Sequence, residues 1–123
     1  MPEALATITL AEEGLIELRY RPDAKLTIAG MRDLLQSRIM LCGAVPHKVL
    51  SFLPDGIDFD KALMDQDLYG DPVSVATTRA MAIVVTDPVN SHMLELFFAY
   101  YPAQFPMRLF SLEVEARKWL KGV

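Results

Sequence analysis

The sequence predicts an α/β domain built on a mixed five-stranded sheet, and three features lead there. Ala80–Thr86 (AMAIVVT) is an unbroken apolar run of strand length. Such a run marks a strand buried on both faces by helices and usually paired in parallel. The strand-then-helix unit then occurs twice in succession. Asp87-Pro88 starts a helix-period pattern that runs to Tyr101, and Met107–Phe110 leads through Ser111, as cap, into a helix ending near Gly122. At the other end of the chain, Ala6, Ile8 and Leu10 alternate with Thr7 and Thr9, while Ile16, Leu18 and Tyr20 alternate with Glu17, Arg19 and Arg21. These two half-buried runs should pair as an antiparallel hairpin across Glu12-Glu13-Gly14.

Each element follows from local chemistry. Gly14 can take the positive φ of the hairpin turn, and Glu17 and Arg19 share a face that they keep wet. Arg21-Pro22-Asp23-Ala24 breaks the second strand, and Thr27 is placed to cap a long helix. Met31, Leu34, Leu35, Ile39 and Cys42 form the apolar face of that helix, and Gly43 ends it. Gly30 costs about 1 kcal/mol relative to Ala within a helix, which points to close packing there. Lys48–Leu53 is the third strand, stopped by Pro54-Asp55-Gly56. Asp58 then caps a short helix through about Leu68, and Asp71-Pro72 starts another that carries the chain to Arg79.

Beyond the Ala80–Thr86 strand, Val89, Met93, Leu96, Phe97 and Tyr100 fall at helical spacing. Pro102 and Pro106 bracket the loop to the fifth strand. The last helix buries Leu112, Ala116, Trp119 and Leu120, with Glu113 and Glu115 at its start and Arg117, Lys118 and Lys121 near its end, as the helix dipole prefers. The order is β-β-α-β-α-β-α-β-α over a single domain, residues 1–123. Right-handed crossovers make the later strands parallel, and the hairpin supplies an antiparallel edge.

Bulk properties narrow the function classes. Lys and Arg number 12 against 16 Asp and Glu, for a net charge of −4, and no basic run exceeds two residues. That excludes the electrostatic footprint of a nucleic-acid binder and of an anionic membrane patch. A hydrophobic content of 52% is enough for a core. The lone Cys42 cannot form an intrachain disulfide, which fits a reducing compartment. The N-terminus carries Glu3, Glu12 and Glu13 and lacks the basic, apolar leader of an exported chain, and no apolar stretch reaches membrane-spanning length. The expectation is a cytoplasmic protein without membrane insertion.

Three segments carry a family resemblance. Leu26–Leu35 (LTIAGMRDLL), Ala80–Val89 (AMAIVVTDPV) and Arg108–Leu120 (RLFSLEVEARKWL), taken with the order of elements, resemble the STAS-like group, the fold of the anti-sigma-factor antagonist SpoIIAA. Nearest are the small bacterial SpoIIAA-like proteins, also called STAS/SEC14-type, whose role is mostly unassigned. The resemblance implies a regulatory or adaptor domain. In the antagonists a serine opens the helix after the third strand and is the phosphorylation switch; here Leu53–Asp60 (LPDGIDFD) contains no Ser or Thr. The shared motifs are packing motifs and speak to fold more than to function.

The carboxyl ends of strands in open α/β sheets are where ligands bind. Loops Leu53–Asp58, Thr86–Ser91 and Phe110–Glu113 should meet on that edge. They bring Asp55, Asp58, Asp87, Asn90 and Ser111 to one rim, a candidate polar site; the competing reading is that Asp58, Asp87 and Ser111 simply cap helices. His47 and His92 have no partner at metal-ligand spacing, so no metal and no cofactor is expected. Cys42 lies on a core stripe, Ser51 lacks a nucleophile elbow, and the six glycines are scattered. No catalytic set emerges, and the chain reads as a non-enzyme.

The aromatic segment Phe97–Phe105 supplies one further feature. Leu94, Phe98 and Tyr101 form a second apolar stripe beside that of Phe97 and Tyr100. Such a stripe meets another chain, an apolar ligand, or a second layer of the same fold. The sequence therefore points to a non-enzymatic regulatory or adaptor domain acting through protein contacts, with self-association as a dimer. The alternative is a carrier of an apolar small molecule, and an enzyme built on the acidic rim comes last.

Overall fold

The computed structural model describes residues 5–123; Glu3, used in the leader argument, lies outside them. The strands are β1 (Ala6–Glu12), β2 (Leu15–Tyr20), β3 (Lys25–Leu26), β4 (His47–Leu53), β5 (Asp58–Phe59), β6 (Thr78–Val85) and β7 (Met107–Phe110). The helices are α1 (Ile28–Cys42), α2 (Pro72–Thr77), α3 (Pro88–Tyr100) and α4 (Glu113–Gly122), with a 3-10 helix at Lys61–Asp65. A five-stranded sheet runs β1-β2-β4-β6-β7. The hairpin β1–β2 is antiparallel, with Ala6 opposite Tyr20 and Leu10 opposite Ile16. The remaining pairs, β2–β4, β4–β6 and β6–β7, are parallel. The mixed sheet with a hairpin edge is thus as the patterning required.

The local signals work as their chemistry dictates. Gly14 turns the hairpin at φ 78°, and Gly43 closes α1 at φ 65°. The Thr27 hydroxyl accepts from the Gly30 N–H at 3.1 Å. Gly30 lies under Leu5: a Cβ there would stand 2.4 Å from Leu5 Cδ1, so the close approach inferred for this glycine is real. Asp71 caps α2, accepting from the Ser74 N–H at 3.1 Å.

Strand alternation divides the apolar residues between two faces. Ile16, Leu18, Val49, Met81, Ile83 and Val85 belong to the larger core, packed under α1 (Met31, Leu34), α3 (Leu94, Phe98) and the Ile57–Tyr69 segment. Leu50, Ala80 and Ala82 face the other way and meet Ala116 and Leu120 of α4. Three alanines at that contact let α4 lie close on the sheet, and Trp119 packs on Phe110 with ring centroids 5.7 Å apart. At the rim of this face Arg117 of α4 binds Glu17 at 3.0 Å, while Arg19 lies 3.9 Å over the Phe52 ring. Lys48 reaches the terminal turn of α4 and donates to the Leu120 carbonyl.

Three expectations need correction. Asp58 opens no helix: Asp58–Phe59 is a strand paired with Lys25–Leu26, and Asp60 instead caps the 3-10 helix by accepting from the Ala62 N–H at 3.0 Å. The segment is rich in Asp and ends at Gly70, so only one short helical piece is favoured, and Phe59 is drawn into the core by the β3–β5 pairing. Ser111 does not cap α4: the N-cap position is Leu112, with no side-chain bond and exposed rather than buried as expected because it precedes the helix, and Glu113 and Glu115 supply the favourable charge in the first turn. Finally, α3 is rotated from the expected face. Val89 is 68% exposed and Tyr100 78%, whereas Asn90 and Phe97 are buried and Leu94 and Phe98 pack on the core. Both stripes of this helix are apolar, so periodicity alone cannot choose between them; the rings of Tyr69 and Phe105 do.

Candidate functional site

The carboxyl edge of the sheet brings together only part of the predicted rim. The Thr86 hydroxyl donates to Asp55 at 2.6 Å, and the Gly56 N–H donates to Asp87 at 2.7 Å, so the loop after β4 is clasped to the loop after β6. Asp87 also caps α3, accepting from the Val89 N–H at 2.9 Å and the Asn90 N–H at 3.4 Å. These backbone donors, Gly56 foremost, hold the Asp87 carboxyl below its ordinary range. Asp58 is exposed on β5 opposite Lys25, and Ser111 is exposed before α4. Asn90 is buried, and its Nδ2 has no hydrogen-bond partner among the described residues. No group of three His, Cys, Asp or Glu among the described residues is placed to hold a metal ion.

The second apolar stripe of α3 is met from within the chain. Tyr69 stacks on Phe98 at a centroid distance of 6.0 Å and 17° between planes, and Phe97 lies 5.2 Å from Tyr101. Leu94 and Phe98 line a small void of about 50 Å³ with Tyr20, Leu68 and Tyr69. Tyr101 is half-buried beside Phe97.

The larger opening lies elsewhere. A cavity of about 440 Å³ separates α1 from the Gln66–Ser74 segment, above Leu18, Tyr20 and Met81 of the sheet. It shares Tyr20, Met31, Leu68 and Tyr69 with the small void, so the two spaces are neighbours. Arg38 of α1 lines this cavity although its side chain belongs to the interior: the residue is 3% exposed. Its Nε donates to His47 Nε2 at 3.0 Å and its Nη2 to Thr78 Oγ1 at 2.7 Å.

These contacts define the protonation states. His47 Nε2 accepts from Arg38, so the ring proton sits on Nδ1 and is donated to the Val45 carbonyl at 3.0 Å. Burial, reinforced by the neighbouring guanidinium, pulls the imidazole below its ordinary value, against the opposing Val45 bond. Arg38 is also drawn down by burial, while Tyr69, Tyr20, Cys42 and Asp71 act to keep it charged. Burial pushes the Tyr20 phenol well up and the Tyr69 phenol up, so both remain O–H donors at neutral pH. Tyr20 donates to the Met31 sulfur at 3.8 Å.

Chemically this is a cavity with apolar walls, two phenols, two cations (Arg32 and Arg38) and two carboxylates (Asp67 and Asp71), and of these charged groups Arg38 is the buried one. Both nitrogens of His47 are engaged, which makes it a positioning group for Arg38. Sequence reasoning passed over Arg38, Tyr69 and Thr78, and weighed His47 only as a metal ligand. The available signal was Arg38 itself, a cation four residues from both Leu34 and Cys42 on an otherwise apolar stripe.

The geometry sits in a chain of recognisable family. Residues 9–123 match the DUF7793 family, a domain of unknown function, and the chain belongs to it. A solved structure that it is similar to is a protein with unknown function from Arthrobacter sp. FB24: 21% identity over 95% of this chain and 100% of that one, with a TM-score of 0.35. No curated protein matches the chain. No helix among the described residues is long and apolar enough to cross a membrane.

Proposed function

We propose that this domain is a non-enzymatic binding module that takes a small molecule with an apolar body into the cavity beneath α1 and signals its occupancy through protein contacts. The observation behind this reading is the 440 Å³ cavity, a volume within the usual range of about 300–1,000 Å³ for small-molecule sites. Its lining combines apolar walls such as Leu18, Leu34, Leu35 and Met81 with polar groups such as Arg38 and Ser74, which suits a ligand with an apolar body and a polar group. Kinship with STAS-like domains belongs to the same proposal, since the element order supports a regulatory role over a catalytic one.

Ligand-observed NMR against neutral aryl and alkyl amides and alcohols tests it. Binders should compete with one another for one site and should be lost in Leu35→Trp, which fills the cavity from α1. A wild-type protein that binds none of them contradicts the reading. A second reading, a self-associating adaptor, has the exposed stripe Val89, Leu96 and Tyr100 of α3 behind it. It predicts a dimer by light scattering that Tyr100→Ser weakens; a monomer at all concentrations removes it.

A further inference from the structure

We propose that the ligand of this cavity carries a single carboxylate, received by the open edge of the Arg38 guanidinium. This rests on the proposal that the cavity is a ligand site and adds the chemical class of what it takes.

The first argument is charge. Buried cations are normally paired, because an isolated charge in low dielectric is costly. Arg38 is buried, yet its hydrogen-bond partners are an imidazole and a hydroxyl, and among the described residues it makes no ion pair with a carboxylate. The nearest acidic candidate, Asp71, already accepts from the Ser74 N–H at 3.1 Å and the Ser74 hydroxyl at 2.6 Å.

The second is geometry. A guanidinium is a planar fork with two usable edges. His47 and Thr78 engage Nε and Nη2. Nη1 has no hydrogen-bond partner among the described residues, which leaves that end of the fork for a ligand. Arg38, although buried, lines the cavity. An open planar edge held by bonds on its far side is the arrangement that receives a carboxylate through two parallel hydrogen bonds.

The third selects the anion. Arg32 and Arg38 line the cavity together with Asp67 and Asp71, so the lining carries no net charge, and Asp71, which acts electrostatically on Arg38, disfavours a second negative charge beside it. A monocarboxylate is favoured over a phosphate monoester. Met31, Leu34 and Leu35 receive its apolar body.

Titration calorimetry with 4-phenylbutyrate, octanoate, their primary amides and 3-phenylpropyl phosphate tests the assignment. The acids should bind wild type on the order of 10–100-fold more tightly than their amides, the range for a hydrogen-bonded charge. In Arg38→Met that preference should fall to about threefold or less, and Arg38→Lys, which keeps the charge and loses the fork, should lie between. Should Arg38→Met fail to fold, the acid-to-amide ratio on wild type decides alone. Equal binding of acid and amide overturns the carboxylate and leaves the binding module standing. Tighter binding of the phosphate replaces it with a dianion site. Acid binding that survives Leu35→Trp moves the ligand out of the cavity and overturns both, as does binding of none of the probes.

Discussion

Replacing His47 with Leu removes one acceptor from a buried guanidinium without opening much space, because the two side chains are of similar volume. His47 is 1% exposed and its Nε2 accepts from Arg38 Nε at 3.0 Å. A hydrogen bond to a charged group contributes about 1.5–3 kcal/mol, and the orphaned buried donor cannot recover it from bulk water. His47→Leu should therefore destabilise by about 2 kcal/mol, a fall in Tm of roughly 6–10 °C for a domain of this size. Arg38→Met also leaves an acceptor unmatched but relieves a buried charge, so the two losses are not independent. Urea denaturation of wild type, both single variants and Arg38→Met/His47→Leu closes the cycle. The double variant should be less destabilised than the sum of the singles by about 1.5–3 kcal/mol, with unchanged m-values. Additivity within about 0.5 kcal/mol would refute the coupling between these groups.

Three further outcomes follow from the geometry. The folded imidazole titrates below its ordinary value near 6.5, so its contribution to stability is complete above that value and is lost as pH falls toward the folded pKa; wild type should weaken as pH falls below about 6.5, and His47→Gln should show a flatter profile by urea midpoint. Ala116 is fully buried against Ala80 and Ala82, so Ala116→Leu should lift α4 off the sheet at a cost of about 1–3 kcal/mol, read by chemical denaturation; a neutral result contradicts the close contact. Asp87→Ala removes both the α3 cap and the loop clasp, so hydrogen exchange at the Gly56 and Val89 amides should accelerate together; unchanged exchange at Gly56 means the loops are held otherwise.

How much of this was legible beforehand varied with the size of the signal. The hairpin, α1 and the β6–α3 unit rest on alternation, caps and breakers spread over many residues, and all three stand where those signals put them. The pair β3 and β5 has two residues per strand, too few for any period to register, and it displaced the helix expected from Asp58. The rotation of α3 could not be read because Val89, Leu96 and Tyr100 are as apolar as Leu94, Phe98 and Tyr101; the choice belongs to Tyr69, distant in sequence. On the rim, Asp55 and Asp87 do meet on one edge, each engaged by the opposite loop. The cavity itself is a missing volume between α1 and the Gln66–Ser74 segment, and absent atoms leave no mark in a residue pattern. Its one trace was Arg38, misplaced by charge on an apolar stripe.

The methionines report most directly on whether that cavity is the working part. Met31 and Met81 line it, while Met40 on the same helix as Met31 is 86% exposed. In a methyl-labelled sample titrated with 4-phenylbutyrate, the Met31 and Met81 signals should shift together along one binding curve while Met40 stays still. Shifts confined to Met40, or to backbone signals of the Asp55 and Asp87 loops with Met31 and Met81 unmoved, would contradict the assignment.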